Sequence, residues 1–121
     1  MKNQGIHLSW ISVKDLQAAI RFYTEVVGLT VREQSPEYGW AELSGPSGCI
    51  LGIAQECAQN DTKPGSNAVV TVTVDDLDKA RTLFNQKGAQ LVGEIMEVPN
   101  HVRIQTFKDH DGNTLQIVQK L

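Results

Sequence analysis

The sequence contains an internal repeat with an offset of 61 positions. The segment SVKDLQAAIRFYTEVVGLTV begins at Ser12, and the similar segment TVDDLDKARTLFNQKGAQLV begins at Thr73. Residues that match at this offset are Val13 and Val74, Asp15 and Asp76, Leu16 and Leu77, Ala19 and Ala80, and Val31 and Val92. A repeat of this kind predicts two copies of one supersecondary unit that are stable only when they pack together. The alternative is one irregular α+β sheet whose internal similarity is coincidental.

Each copy has the pattern of a strand, a helix and three further strands. The alternating runs 8–13 and 69–74 predict the first strand of each copy. Asp15 then supplies the N-cap of a helix, as Asp75 or Asp76 does in the second copy. Each helix has one apolar stripe and ends at a glycine. Short runs between turn residues predict the remaining strands, at about 29–34, 38–44 and 48–54, and again at about 90–98, 101–108 and 113–119.

The predicted fold class is therefore α+β, with paired βαβββ modules that form curved mixed sheets around a cleft. A single domain over 1–121 is expected, with module one at about 5–55 and module two at about 67–121. The polar segment 56–66 between them contains Pro64 and Gly65, which is typical of a linker.

Composition excludes several classes of partner. The net charge of −3, with acidic and basic residues well mixed, predicts no basic surface for nucleic acid. No apolar run approaches the roughly 20 residues of a membrane span, and the N-terminal segment lacks the apolar stretch of a signal peptide. The cysteines, Cys49 and Cys57, form no pattern that implies a disulfide. We therefore expect a cytoplasmic protein with neither nucleic acid nor membrane as a partner.

Two segments carry motifs that are known from one family. SVKDLQAAIRFYTEVVGLTV has a V-x-D-L element before the predicted helix and F-Y at its end, and DHDGNTLQIVQ closes the chain. Together they resemble the signature of the vicinal-oxygen-chelate superfamily, which includes glyoxalase I, extradiol dioxygenases, fosfomycin-modifying enzymes and metal-free bleomycin-resistance proteins. The resemblance covers nearly the whole chain. It implies a paired βαβββ fold and commonly a homodimer, with a cavity that closes within one chain or across two.

The resemblance also implies where a metal ligand would lie in the metal-using members. In those members one ligand lies five residues before the valine that ends the first strand. The corresponding residue here is Leu8 in the first copy and Val69 in the second. A third position falls near Gly52, and the closing strand has Gln116 in place of glutamate. An amide oxygen is a weaker ligand than a carboxylate or an imidazole. Because a catalytic metal normally needs about three protein ligands, we expect neither a metal nor any other cofactor.

An atypical metal site is the alternative. It would consist of His7, Glu42, His101 and Gln116, in a lyase, isomerase or dioxygenase that uses a divalent metal as a Lewis acid. His7 would need a bulge to face the same way as Leu8, because a shift of one residue reverses the face of a strand. Metal-free acid–base catalysis by Glu42 or His101 is a third possibility, and no catalytic residue is assigned.

Strand alternation predicts the side chains that face the cleft, if the more apolar set of each strand packs under the helix. The predicted ligand-binding residues are Trp10, Trp40, Glu42, His101, Arg103, Phe107 and Gln116. Apolar and aromatic walls with a few polar groups are typical of small-molecule pockets. Alternatively, the tryptophans close a core or a dimer interface, and Arg103 forms an ion pair with Glu42. We predict a metal-independent small-molecule-binding protein of the glyoxalase/bleomycin-resistance type.

Overall fold

Two β-α-β-β-β units follow each other along the chain in the computed structural model, which describes residues 2–4, 7–58, 62–65 and 68–121. The first unit consists of β1 (Ser9–Val13), α1 (Leu16–Glu25), β2 (Thr30–Ser35), β3 (Trp40–Ser44) and β4 (Ile50–Gln55). The second consists of β5 (Val70–Thr73), α2 (Leu77–Gln86), β6 (Gln90–Val98), β7 (Val102–Lys108) and β8 (Thr114–Lys120). In these described ranges no helix has the length and hydropathy that a membrane crossing requires.

The two helices begin in the same way. The carboxylate of Asp15 accepts a hydrogen bond from the amide of Ala18 at 3.2 Å, and that of Asp76 accepts one from the amide of Lys79 at 3.1 Å. Each aspartate thereby satisfies one of the amide donors that a helix leaves free at its start. Because the two caps are 61 positions apart, they agree with the offset of the sequence repeat.

Equivalent glutamines tie each helix to its own sheet. Gln55, at the end of β4, accepts a hydrogen bond from the amide of Leu16 at 3.2 Å. Gln119, in β8, accepts one from the amide of Leu77 at 2.8 Å. The sequence alignment does not reveal this correspondence, because the glutamines lie 64 positions apart rather than 61.

Each unit forms a mixed four-stranded sheet with the same strand order. The orders are β1-β4-β3-β2 and β5-β8-β7-β6, in which the first pair is parallel and the others are antiparallel. This confirms the predicted fold class. One face of each sheet packs against its helix and holds the core, in which the following residues are at most 1% exposed: Ile11, Val13, Tyr23, Leu43, Ile53, Leu77, Phe107, Leu115 and Ile117. We call the other face of each sheet its open face.

A buried carboxylate joins the two units. Asp109 lies in the turn between β7 and β8 and is 6% exposed. Its Oδ2 accepts hydrogen bonds from the Tyr23 hydroxyl of α1 at 2.7 Å and from Asn113 Nδ2 at 2.9 Å. Its Oδ1 accepts hydrogen bonds from the amides of Asp111 at 2.9 Å and Asn113 at 2.8 Å. Asn113 Nδ2 also donates to the carbonyl of Ser12 at 3.1 Å, so the DHDGN segment holds the second unit against the first.

The buried tyrosine predicts a loss of stability at high pH. Burial and the adjacent Asp109 carboxylate raise the pKa of Tyr23 far above its ordinary value of about 10. The resulting stabilisation is complete below pH 10 and is lost as the pH rises above 10, because the tyrosine of the unfolded chain ionises first. Between pH 8 and pH 11, we expect the protein to lose about 1.4 kcal/mol more free energy of unfolding than Tyr23→Phe. Urea denaturation of both proteins measures this difference, and equal losses would contradict it.

Candidate functional site

Two tryptophans and a glutamate lie together on the open face of the first sheet. The register places Gly52 of β4 between Trp10 of β1 and Glu42 of β3, so that all three residues face the same side. Trp40 shares this face by strand alternation, and its Nε1 donates a hydrogen bond to Glu42 Oε2 at 3.0 Å. Three of the residues predicted from strand alternation are therefore neighbours.

Gly52 makes room for the ring of Trp40. A Cβ atom at this position would overlap Cη2 of the Trp40 ring and would lie 2.9 Å from Cβ of Trp10. Gly52 has no positive φ that would require glycine, so the constraint is the space and not the backbone. This is also the position near which the resemblance assigns a metal ligand, and here the indole ring fills the space that a ligand side chain would need.

Two carboxylates oppose each other on the same face. The register pairs Glu33 of β2 with Glu42 of β3, and directly opposed like charges destabilise a sheet. In the part of the chain that the structure describes, no ion pair joins either glutamate to a basic side chain. Glu33 is absent from the predicted site because its orientation depends on a bulge between Val31 and Glu33, which strand alternation does not reveal.

The open face of the second sheet mixes apolar and polar side chains, among them Ile104, Thr106 and Lys108. Gln116 of β8 lies there as predicted, with its Nε2 3.4 Å from Oγ1 of Thr106 in β7. Towards the edge of this sheet, Met96 is 57% exposed and Val98 is 42% exposed. Exposed apolar residues that adjoin one another are typical of an interaction surface.

The predicted orientation of β7 is wrong for Arg103 and Phe107. Arg103 forms ion pairs with Asp78 of α2 at 3.3 Å and with Glu97 of β6 at 3.7 Å, and its hydrogen bonds and charge lower the pKa of the Asp78 carboxyl. Phe107 is fully buried, with its ring centroid 5.1 Å from that of Phe84 in α2. Both side chains therefore face the helix and not the open face. The alternative in which Arg103 forms an ion pair with Glu42 is also wrong.

The orientation of β7 was predicted wrongly because both of its faces carry apolar residues. The prediction assumed that Val102 and Ile104, as the more apolar set of β7, pack under the helix. In the structure they pair with Val98 and Met96 on the open face. Gln105 is buried on the helix side, where its Nε2 donates hydrogen bonds to backbone carbonyls at the β6 bulge. Because both faces of β7 contain apolar residues, hydrophobicity alone does not distinguish them.

The alternative metal-ligand set is not brought together in the described part of one chain. His7 is exposed before β1, and His101 is exposed in the turn between β6 and β7, where its amide donates a hydrogen bond to the carbonyl of Val98. Glu42 and Gln116 lie on different sheets. Among residues 2–4, 7–58, 62–65 and 68–121, no three His, Cys, Asp or Glu side chains are grouped so that they could hold a metal ion.

A groove of about 700 Å³ lies between β5 and the first unit. Its walls are the segment after α1, the turn between β3 and β4, and β5, and none of the predicted ligand-binding residues lines it. The lining residues that the structure describes include no charged or aromatic side chain. Specific ligand sites combine apolar walls with a few polar groups that fix orientation. The described polar side chains of the groove are serine, threonine and cysteine, whereas the open face of the first sheet combines aromatic rings with a carboxylate, and we place the candidate site there.

Comparison with known proteins gives one family. The model of the Glyoxalase/Bleomycin resistance protein/Dioxygenase superfamily matches residues 5–117. A comparison with proteins of curated function yields no match.

Solved structures with the same fold cover the whole chain or nearly so. A member of that superfamily from Sphaerobacter thermophilus DSM 20745 has a TM-score of 0.81 at 20% identity, over 98% of each chain. TnmS3, an antibiotic binding protein from Streptomyces sp. CB03234, has a TM-score of 0.80 at 21% identity, over 100% of this chain and 99% of its own. A glyoxalase/bleomycin resistance protein/dioxygenase family enzyme from Burkholderia phytofirmans PsJN has a TM-score of 0.78 at 22% identity, over 95% of this chain and 98% of its own. At identities this low, the likeness shows a shared fold, and the function has to be argued from the residues of the site.

Proposed function

Because the chain belongs to the glyoxalase/bleomycin resistance protein/dioxygenase superfamily, we propose that it binds a small organic molecule without a metal ion and without transforming it. The observation that carries this proposal is the ring of Trp40 over Gly52. An aromatic wall takes the place of a metal ligand there, and Leu8 and Val69 offer no donor at two further positions. The fold of the antibiotic binding protein TnmS3 gives the proposal further support.

The proposal includes a homodimer in which the partner covers the site. Each sheet has one face on its own helix and one open face, and the open face of the second sheet exposes Met96 and Val98. If this surface covered the tryptophans of a second copy, the exposed apolar side chains of both surfaces would be removed from water. Analytical ultracentrifugation tests this part: a species of twice the chain mass supports it, and a monomer at micromolar concentration contradicts it.

Binding can be followed by intrinsic fluorescence, since the two tryptophans of the chain, Trp10 and Trp40, are both at the site. Chelator-treated protein would be titrated with daunorubicin, bleomycin and chloramphenicol, then again with added Ni²⁺, Zn²⁺, Mn²⁺ or Fe²⁺. We expect at least one compound to bind with a Kd that changes less than twofold on metal addition, and mass spectrometry to recover it unchanged. Binding that appears only with metal, or a transformed product, would favour the metal-dependent lyase, isomerase or dioxygenase instead.

A further inference from the structure

The charges on the open face of the first sheet determine the class of ligand that suits the site. We infer that the site prefers a flat aromatic cation over a neutral or anionic ring system of the same size, an inference that rests on the proposed function. It combines two separate observations, a pair of carboxylates without an ion-pair partner in the described chain and two partly exposed tryptophan rings.

The first observation is the pair formed by Glu33 and Glu42. These residues are directly opposed across β2 and β3, where Cβ atoms are about 4.5–5.5 Å apart and like charges repel. Only one carboxylate oxygen of Glu42 accepts a hydrogen bond from the described residues, namely from Trp40 Nε1. Arg32, the extra residue of the adjacent bulge, forms no ion pair with either glutamate. A bound cation would relieve the repulsion and interact with the oxygen of Glu42 that accepts no hydrogen bond.

Among the described residues of one chain, the remainder of this face carries no basic side chain that would neutralise the pair. Apart from Glu33, Glu42 and the tryptophans, the registers place serine, threonine, glycine, alanine and isoleucine side chains on it. Glu42 is partly buried, and water is therefore partly excluded from its carboxylate. An interaction between charges is stronger at a partly buried site than in bulk water. The face therefore favours positive charge and disfavours negative charge in whatever molecule binds there.

The second observation is the arrangement of the two indole rings. Trp10 and Trp40 adjoin each other at Gly52, and both are partly exposed. The hydrogen bond from the Trp40 N–H to Glu42 keeps the carboxylate at the edge of that ring. Tryptophan attracts a cation over its face and stacks on flat rings. A ligand that is both flat and cationic would use the ring and the carboxylate together, whereas an aliphatic cation or a neutral ring would use only one of them.

The test compares three tricyclic probes that differ in charge: proflavine (cationic), acridone (neutral) and anthraquinone-2-sulfonate (anionic). Isothermal titration of the chelator-treated protein should show proflavine binding at least tenfold more tightly than acridone, with the sulfonate weakest. Raising the salt from 50 to 500 mM should weaken the binding of proflavine but not that of acridone, because salt screens charges.

Variants identify the source of the preference. Glu42→Gln keeps an oxygen that can accept the Trp40 N–H and removes the charge, so we expect about tenfold weaker binding of proflavine and a much smaller loss for acridone. Glu33→Gln should have a smaller effect of the same kind, because Glu33 is more exposed. Glu97→Gln is the matched control: it removes the same charge on the helix-facing side of the second sheet, beside Arg103, and should leave both affinities unchanged.

The outcomes separate this inference from the proposed function. Acridone or the sulfonate binding as tightly as proflavine would overturn the ligand class and leave metal-free binding intact. Equal effects of Glu42→Gln and Glu97→Gln would also overturn it, and so would a proflavine Kd above 1 mM. Binding of the probes only after metal addition would instead overturn the proposed function.

Discussion

We expect Asp109→Ala to lower the free energy of unfolding by about 3 kcal/mol or more, because it removes the shared acceptor of a buried hydrogen-bond network. The Tyr23 hydroxyl and Asn113 Nδ2 both donate to Oδ2 of this carboxylate, at 2.7 and 2.9 Å. After the substitution, the hydroxyl of Tyr23, a fully buried side chain, would lose its acceptor. Since this hydrogen bond joins α1 to the second unit, its loss would also weaken the contact between the two units.

Urea denaturation at pH 7 measures this effect. The matched control is Asp78→Ala, which removes a carboxylate that also pairs with a neighbouring side chain, Arg103, but lies in solvent. Exposed ion pairs contribute little to stability, so the control should have a much smaller effect. If the two variants had equal effects, the network around Asp109 would not hold the units together as we describe.

The second large effect is expected for Gly52→Ala. The added methyl group would overlap the ring of Trp40 and approach Cβ of Trp10. Cβ of Trp10 is fixed by the backbone of β1, so the Trp40 ring must move, and overpacking of this kind costs about 1–3 kcal/mol. Displacement of the ring would also remove its hydrogen bond to Glu42. We therefore expect at least a tenfold loss of affinity for any compound that binds at the tryptophans.

Tryptophan fluorescence emission and ligand titration of the Gly52→Ala protein test this prediction. Displacement of the ring should shift the emission to longer wavelength, and binding should weaken in the same protein. Gly45→Ala is the control, because among the described residues its methyl group would meet only Leu29 Cδ2, at an ordinary 3.9 Å. Unchanged emission and unchanged affinity in Gly52→Ala would show that Trp40 does not form the wall of the site.

The repeat made the architecture predictable from sequence. Val13 and Val74, and Asp15 and Asp76, establish the offset, and the helices and their caps follow it. The open face of the first sheet was also predictable, because Ala41 of β3 suits a core while Trp40 and its polar neighbours suit a cleft. In such a strand, alternation of apolar and polar residues determines which side faces the helix.

The remaining features depend on information that alternation does not contain. In β7, Ile104 and Phe107 are both apolar and face opposite sides, so the pattern does not specify an inner face. Glu33 reaches the site through a bulge. Asp109 contacts Tyr23 across 86 positions of sequence, and a short motif in a turn gives no indication of so distant a partner.

The measurement that tests metal-free binding most directly is a crystal structure of the protein with the tightest-binding compound, with anomalous data collected at the absorption edges of nickel, zinc, iron and manganese. We predict density for the intact organic molecule against Trp40 and Glu42, and no anomalous peak at the site. A stoichiometric metal ion that bridges Gln116 and oxygen atoms of the ligand would contradict the proposal and would indicate a metal-dependent enzyme.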